Sequence, residues 1–283
     1  MTVPAPSLAS SLLQVFDLTL GQMLWSRRTI FMAVIVGAPI LIGAGLRAFL
    51  SLEWVQLYAP HASGTPPLTG PGIFGLMVWV FYLRFTVPVL SLAYGTSLIA
   101  DEVEDKTITY LFTRPIPRGA VLLGKYVAFL VSAGVVVLPS VLITYYLVVP
   151  ILGGRIGQSF PALVTDLSLI GMGLAVYGAV FALVGAWFRR PLLAGLVFAF
   201  GWEPVATIVP GYLRYFTVSF YLQGLVPHAM PHDSATTVIA SVLQTFQTPM
   251  STWSSVGWLC VIWAGALAVA VRVVQGREYV LEQ

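Results

Sequence analysis

The sequence predicts an all-α integral membrane protein with six transmembrane helices, preceded by an amphipathic interfacial helix. Three observations predict it. Of 283 residues, 58% are hydrophobic and only 9% charged, against about 45–50% and roughly 25% in an ordinary soluble domain. The apolar runs continue for ~20 residues, the length that crosses a bilayer core as a helix. A membrane barrel would instead alternate polar and apolar residues over ~10-residue strands.

Taken in order, residues 7–28 come first. Leu12, Leu13, Val15, Phe16, Leu18, Leu20, Met23 and Leu24 are interrupted by Ser, Gln, Asp17 and Thr, a pattern that predicts an amphipathic helix on the membrane surface. The spans follow at residues 29–49, 72–99, 119–149, 164–187, 191–210 and 255–275. Ser26-Arg27-Arg28 has the outline of a twin-arginine export signal. An amphipathic stretch precedes it and five more spans follow, so it reads as the positive inner flank of an uncleaved helix.

Orientation follows from Lys and Arg. With both termini cytoplasmic, the inner side carries Arg27, Arg28, Lys106, Arg114, Arg118, Lys125, Arg189, Arg190, Arg272 and Arg277, and the outer side Arg47, Arg155 and Arg214. The scattered basic residues make no nucleic-acid footprint. Asp166, near the outer end of the fourth span, is expected to be a solvated helix-end residue. Gly178, Ala182, Gly185 and Ala186 in that span have spacings that allow close helix packing. The single cysteine, Cys260, has no disulfide partner within the chain and reads as a small buried hydrophobe.

Two charges fall near the middle of spans. Arg84 lies 12 residues after the start of span two and Glu203 12 after the start of span five, near mid-bilayer, where a charge costs about 2.5–3.5 kcal/mol on the lenient insertion scale. They are expected to face protein or water, to pair, and to mark either a structural ion pair or a translocation path. Gly201 and Pro204 predict a kink or break in span five.

Residues 211–254 read as an amphipathic outer loop. Val238, Ile239, Val242, Leu243 and Phe246 recur at helical spacing, and Tyr212, Tyr215, Phe216, Phe220, Tyr221, Trp253 and Trp258 resemble an interfacial aromatic belt. His228, Met230 and His232 offer groups suited to a soft or borderline metal. Pro231 prevents a helical pair there, and no metal site is expected.

Residues 101–118 hold seven of the 25 charged residues. Asp101, Glu102, Glu104 and Asp105 crowd the start of a predicted short helix, where they suit the positive end of its dipole. Val103, Thr107, Tyr110 and Leu111 share one face, and Pro115 and Pro117 end the helix.

The sequence here resembles the ABC-2 type transporter permeases, the membrane subunits of bacterial ABC transporters. The residues that carry the resemblance are Tyr94-Gly95-Thr96, Ile99-Ala100-Asp101-Glu102-Val103-Glu104-Asp105-Lys106-Thr107, Tyr110-Leu111, Arg114-Pro115-Ile116-Pro117-Arg118 and Leu123-Gly124-Lys125. Lys106 stands where the family pattern has Gly. The resemblance implies a single ABC-2 transmembrane domain across residues 1–283 in the bacterial inner membrane, paired with a second permease subunit, identical or related. It implies two cytoplasmic ABC ATPase subunits that bind ATP and Mg, so this chain needs no cofactor of its own. Segment 101–118 would be the coupling helix, with Glu102, Glu104, Asp105, Thr107, Tyr110, Leu111, Arg114 and Arg118 contacting the ATPase.

Gly119-Ala-Val-Leu-Leu-Gly124-Lys125 fits the phosphate-loop spacing, but Tyr126 replaces the Ser or Thr that holds magnesium, and the run opens a membrane helix. Lys125 is expected to snorkel to the cytoplasmic interface. The chain therefore reads as a permease and not an enzyme, in an exporter, since the sequence offers no large receptor-docking domain. The alternative is a secondary transporter or channel that uses Arg84 and Glu203 without an ATPase.

Overall fold

A computed structural model describes residues 8–24, 27–51, 69–98, 118–151, 154–208, 212–223, 225 and 251–276. Every regular element among them is helical. The helices are α1 (Leu8–Leu24), α2 (Arg27–Leu50), α3 (Gly70–Gly95), α4 (Arg118–Val148), α5 (Ile156–Trp187), α6 (Pro191–Thr207), α7 (Val218–Gln223) and α8 (Thr252–Gly276). A 3-10 turn, Tyr212–Phe216, precedes α7.

Contacts at the helix ends define the topology. At one end, Arg47 Nη1 donates to the carbonyls of Tyr146 and Leu147 at 3.4 and 3.3 Å. Gly70 abuts the Val149 carbonyl, and Tyr145 OH donates to the Ile156 carbonyl at 2.6 Å. This end therefore gathers the close of α2 and α4 and the start of α3 and α5. At the opposite end, Lys125 Nζ donates to the Leu98 carbonyl at 3.1 Å, so its ammonium sits on the chain just after α3. Gly119 packs against Val271 and Gln275 of α8. Helices α2 and α4 run one way, and α3, α5 and α8 the other.

Five helices, α2, α3, α4, α5 and α8, are long and apolar enough to cross a membrane, and α6 is a shorter apolar helix. The chain is a multi-pass membrane protein. Its core is the contact of α3, α4 and α5, filled by Tyr82, Tyr94, Phe129, Tyr145, Tyr177 and Phe181. Helix α1 packs its Val15 side against α4 and leaves Leu13 and Leu18 exposed. The small residues of α5 permit α3 and α4 to pack closely against it. A Cβ on Gly185 would stand 2.5 Å from the Thr96 carbonyl oxygen, and one on Gly178 would meet the Phe129 ring.

Three expectations are corrected. Helix α5 begins at Ile156, eight residues before the expected 164, because the Tyr145 hydroxyl anchors its first turn through the Ile156 carbonyl and Ser159 Oγ. Asp166 therefore lies within the helix and is fully buried rather than solvated. Cys260 is exposed, since α8 turns most of its surface away from the bundle. The aromatic belt divides: Tyr212, Phe216, Trp253 and Trp258 are exposed, whereas Phe220 and Tyr221 are buried with Val218, Leu222 and Gln223 of α7.

Candidate functional site

Helices α3 and α6 each contain a π-helical stretch, Val78–Thr86 and Val197–Trp202. In α3 the Val87 N–H bonds the Tyr82 carbonyl, and in α6 the Glu203 N–H bonds the Phe198 carbonyl, each five residues back. Pro88 and Pro204 come next in each case. Proline has no N–H to continue the ladder, and its ring crowds the carbonyl four residues earlier. A widened turn is the local response, and such turns recur at functional sites. Of the expected kink or break, there is no break: helix α6 continues past Gly201 and Pro204, its hydrogen bonding altered by the widened turn.

The two stretches face one another across a cavity of about 260 Å³. Val80, Arg84, Phe85 and Pro88 line it from α3, Ala199, Phe200, Glu203 and Pro204 from α6, Tyr177 from α5 and Ser219 from α7. Glu203 is buried, at 5% exposure. Its Oε2 accepts from the Tyr177 hydroxyl, and its Oε1 accepts from the Val218 N–H at 2.9 Å. One carboxylate therefore ties α6 to α5 and to the first residue of α7.

Arg84 is half-buried on the same cavity. The expected pairing with Glu203 is corrected: among the described residues no ion pair within 4.0 Å joins them. Arg84 acts on Glu203 and Tyr177 by its charge alone, across the cavity. The carboxylate is held by uncharged donors, and the Arg84 guanidinium lines the same cavity.

A second, larger cavity of about 740 Å³ lies behind α6 and α7, lined by Val180, Leu183, Phe198, Tyr215, Val218, Tyr221, Ile262, Ala266 and others, mostly apolar. Arg214 caps this region, its guanidinium 5.2 and 5.3 Å from the Tyr215 and Phe220 ring centroids. The Glu203 network forms part of the wall between the two cavities, since successive residues of α7, Val218 and Ser219, face one each.

Sequence reasoning found Arg84 and Glu203 and missed Tyr177, Val218 and Ser219. Tyr177 sits in an uninterrupted apolar run and Val218 contributes only its backbone, so neither carries a sequence signal. A proline within one turn after each mid-span charge, Pro88 after Arg84 and Pro204 after Glu203, is the available clue to a polar cavity. Of the expected ATPase contacts, Glu102, Glu104, Asp105, Thr107, Tyr110, Leu111 and Arg114 lie outside the described residues, and Arg118 opens α4. His228, Met230 and His232 also lie outside them.

A family model described as ABC-2 family transporter protein matches residues 9–278, nearly the whole chain. No curated protein matches it.

Proposed function

The chain belongs to the ABC-2 family of transporter proteins, and from that premise we propose that it is the permease subunit of an ATP-driven exporter in the bacterial inner membrane. It is the membrane component of an ABC transporter rather than its ATPase, and the family works with ATPase subunits. The match over residues 9–278 carries the reading.

In this proposal two permease subunits, identical or related, sit over two cytoplasmic ATPases that bind ATP and Mg. Helix α6, extended to about residue 210, serves as the sixth crossing, and both termini are cytoplasmic. Segment 101–118 docks on the ATPase through Glu102, Glu104, Asp105, Thr107, Tyr110, Leu111, Arg114 and Arg118. The frame around that segment supports this role. Lys125 ties the start of α4 to Leu98, and Thr96 is wedged against Gly185 of α5. A displacement of 101–118 would thus reach three helices at once. Arg84 and Glu203 line the path that these helices open. Export follows the sequence expectation, in which the outer segments offer no large receptor-docking domain.

Co-purification tests the reading. Tagged full-length chain should retain an ABC ATPase, and Glu102→Ala with Tyr110→Ala should release most of it while leaving the permease monodisperse. Absence of any ATPase from the wild-type preparation would refute the proposal. Transport that survives a dead ATPase phosphate loop would favour the secondary-transporter reading.

A further inference from the structure

We propose that the cavity between α3 and α6 is an oxyanion site, in which Arg84 holds a phosphate or carboxylate group. What the site serves rests on the permease reading; the binding itself needs no ATPase.

Arg84 is half-buried in the middle of an apolar helix, and no hydrogen bond or ion pair from it is found among the described residues. A guanidinium does not shed its charge, so its five donors must meet water or a ligand. Glu203 does not use them: no ion pair within 4.0 Å joins the two side chains, and the Glu203 oxygens accept from Tyr177 and Val218 instead. The planar fork of Arg matches carboxylate and phosphate oxygens in pairs.

The walls support the same choice. Pro88 and Pro204 line the cavity from its two sides, and neither has a backbone N–H. Ser219 joins the lining from α7 and carries a hydroxyl of the kind that donates to an anionic oxygen. The Glu203 carboxylate on the same lining accepts from the hydroxyl of a protonated phosphate, while Arg84 takes the remaining oxygens. Val80, Phe85 and Phe200 complete the lining and suit a short apolar stem. A volume of about 260 Å³ holds about nine waters at ~30 Å³ each, which fits a headgroup and excludes a whole lipid.

Two sources supply this chemistry, the acidic head of an amphiphile or a free anion. Purified full-length chain in neutral detergent is titrated with dodecyl phosphate, dodecanoate, inorganic phosphate and dodecyltrimethylammonium, followed by calorimetry. The expected result is saturable binding of dodecyl phosphate at one site per chain, weakened at least tenfold by Arg84→Gln and partly restored by Arg84→Lys. Ala199→Leu, which fills the cavity and keeps Arg84, should weaken it as well and still reads the site if the arginine variants fail to fold. Inorganic phosphate that competes at similar concentration supports an oxyanion site fed by free anions; tailed ligands alone support an amphiphile head. Binding unchanged by both Arg84→Gln and Ala199→Leu, absent altogether, or stronger for dodecyltrimethylammonium overturns the proposal. Binding without ATPase co-purification would fault the transporter assembly and leave the site standing.

Discussion

Tyr177 donates to an oxygen of the Glu203 carboxylate, a residue only 5% exposed, so the bond's loss leaves that oxygen with one donor fewer in a largely buried place. Tyr177→Phe should cost about 1–3 kcal/mol, measurable as lowered thermal stability of the purified chain in detergent. Glu203→Gln should cost a similar amount, because an amide presents its NH₂ to one of two donors. The double substitution should cost less than the sum, since both remove one bond. Additive losses would show that the two side chains do not interact. Tyr126 makes a comparable knot: its hydroxyl donates to the Ala175 carbonyl at 2.7 Å and accepts from Trp263 Nε1 at 2.8 Å, joining α4, α5 and α8. At this scale the sequence revealed charges and hid their partners. Arg84 and Glu203 stand out because charge is rare in an apolar run. A tyrosine hydroxyl or a backbone N–H that satisfies such a charge is invisible until the helices are packed.

Glycine positions on the helices divide by what lies opposite them. Gly185→Ala places a methyl 2.5 Å from the Thr96 carbonyl oxygen, a backbone atom with no rotamer to yield, and should destabilise by about 1–3 kcal/mol. Gly265→Ala on α8 meets nothing within 4 Å and should be neutral or stabilising by up to about 1 kcal/mol. Thermal melts of the two variants, side by side, check the packing of α3 on α5. Pro88→Ala returns a backbone donor to α3 and should slow amide hydrogen exchange across residues 85–92. Unchanged exchange would separate the π turn from its proline. Helix existence was legible from apolar runs, which report where a bilayer is crossed. Starts were less so: Gly157, Gln158, Ser159 and Pro161 look like a loop, yet Tyr145 from another helix holds them in the first turns of α5. The burial of α7 was likewise hidden, because six residues between turns carry no period that distinguishes an interface from a core.

At the scale of the whole molecule, the charged segment 101–118 and the cavity at Arg84 are joined by the same helix, α3. Leu98 at its end is held by Lys125, and Arg84 lies within its π stretch. In the proposed assembly, motion imposed at segment 101–118 reaches the cavity along this helix. The family was legible in the sequence because its motif concentrates seven of 25 charged residues into 18 positions, and a family model covers residues 9–278. The most direct test of energy entering there is site-specific photocross-linking in cells, with the probe at Tyr110 or, as control, at Gln158 at the opposite end of the bundle. An adduct of permease and ATPase mass is expected from position 110 and none from position 158. No adduct at 110, or equal adducts at both positions, would contradict it.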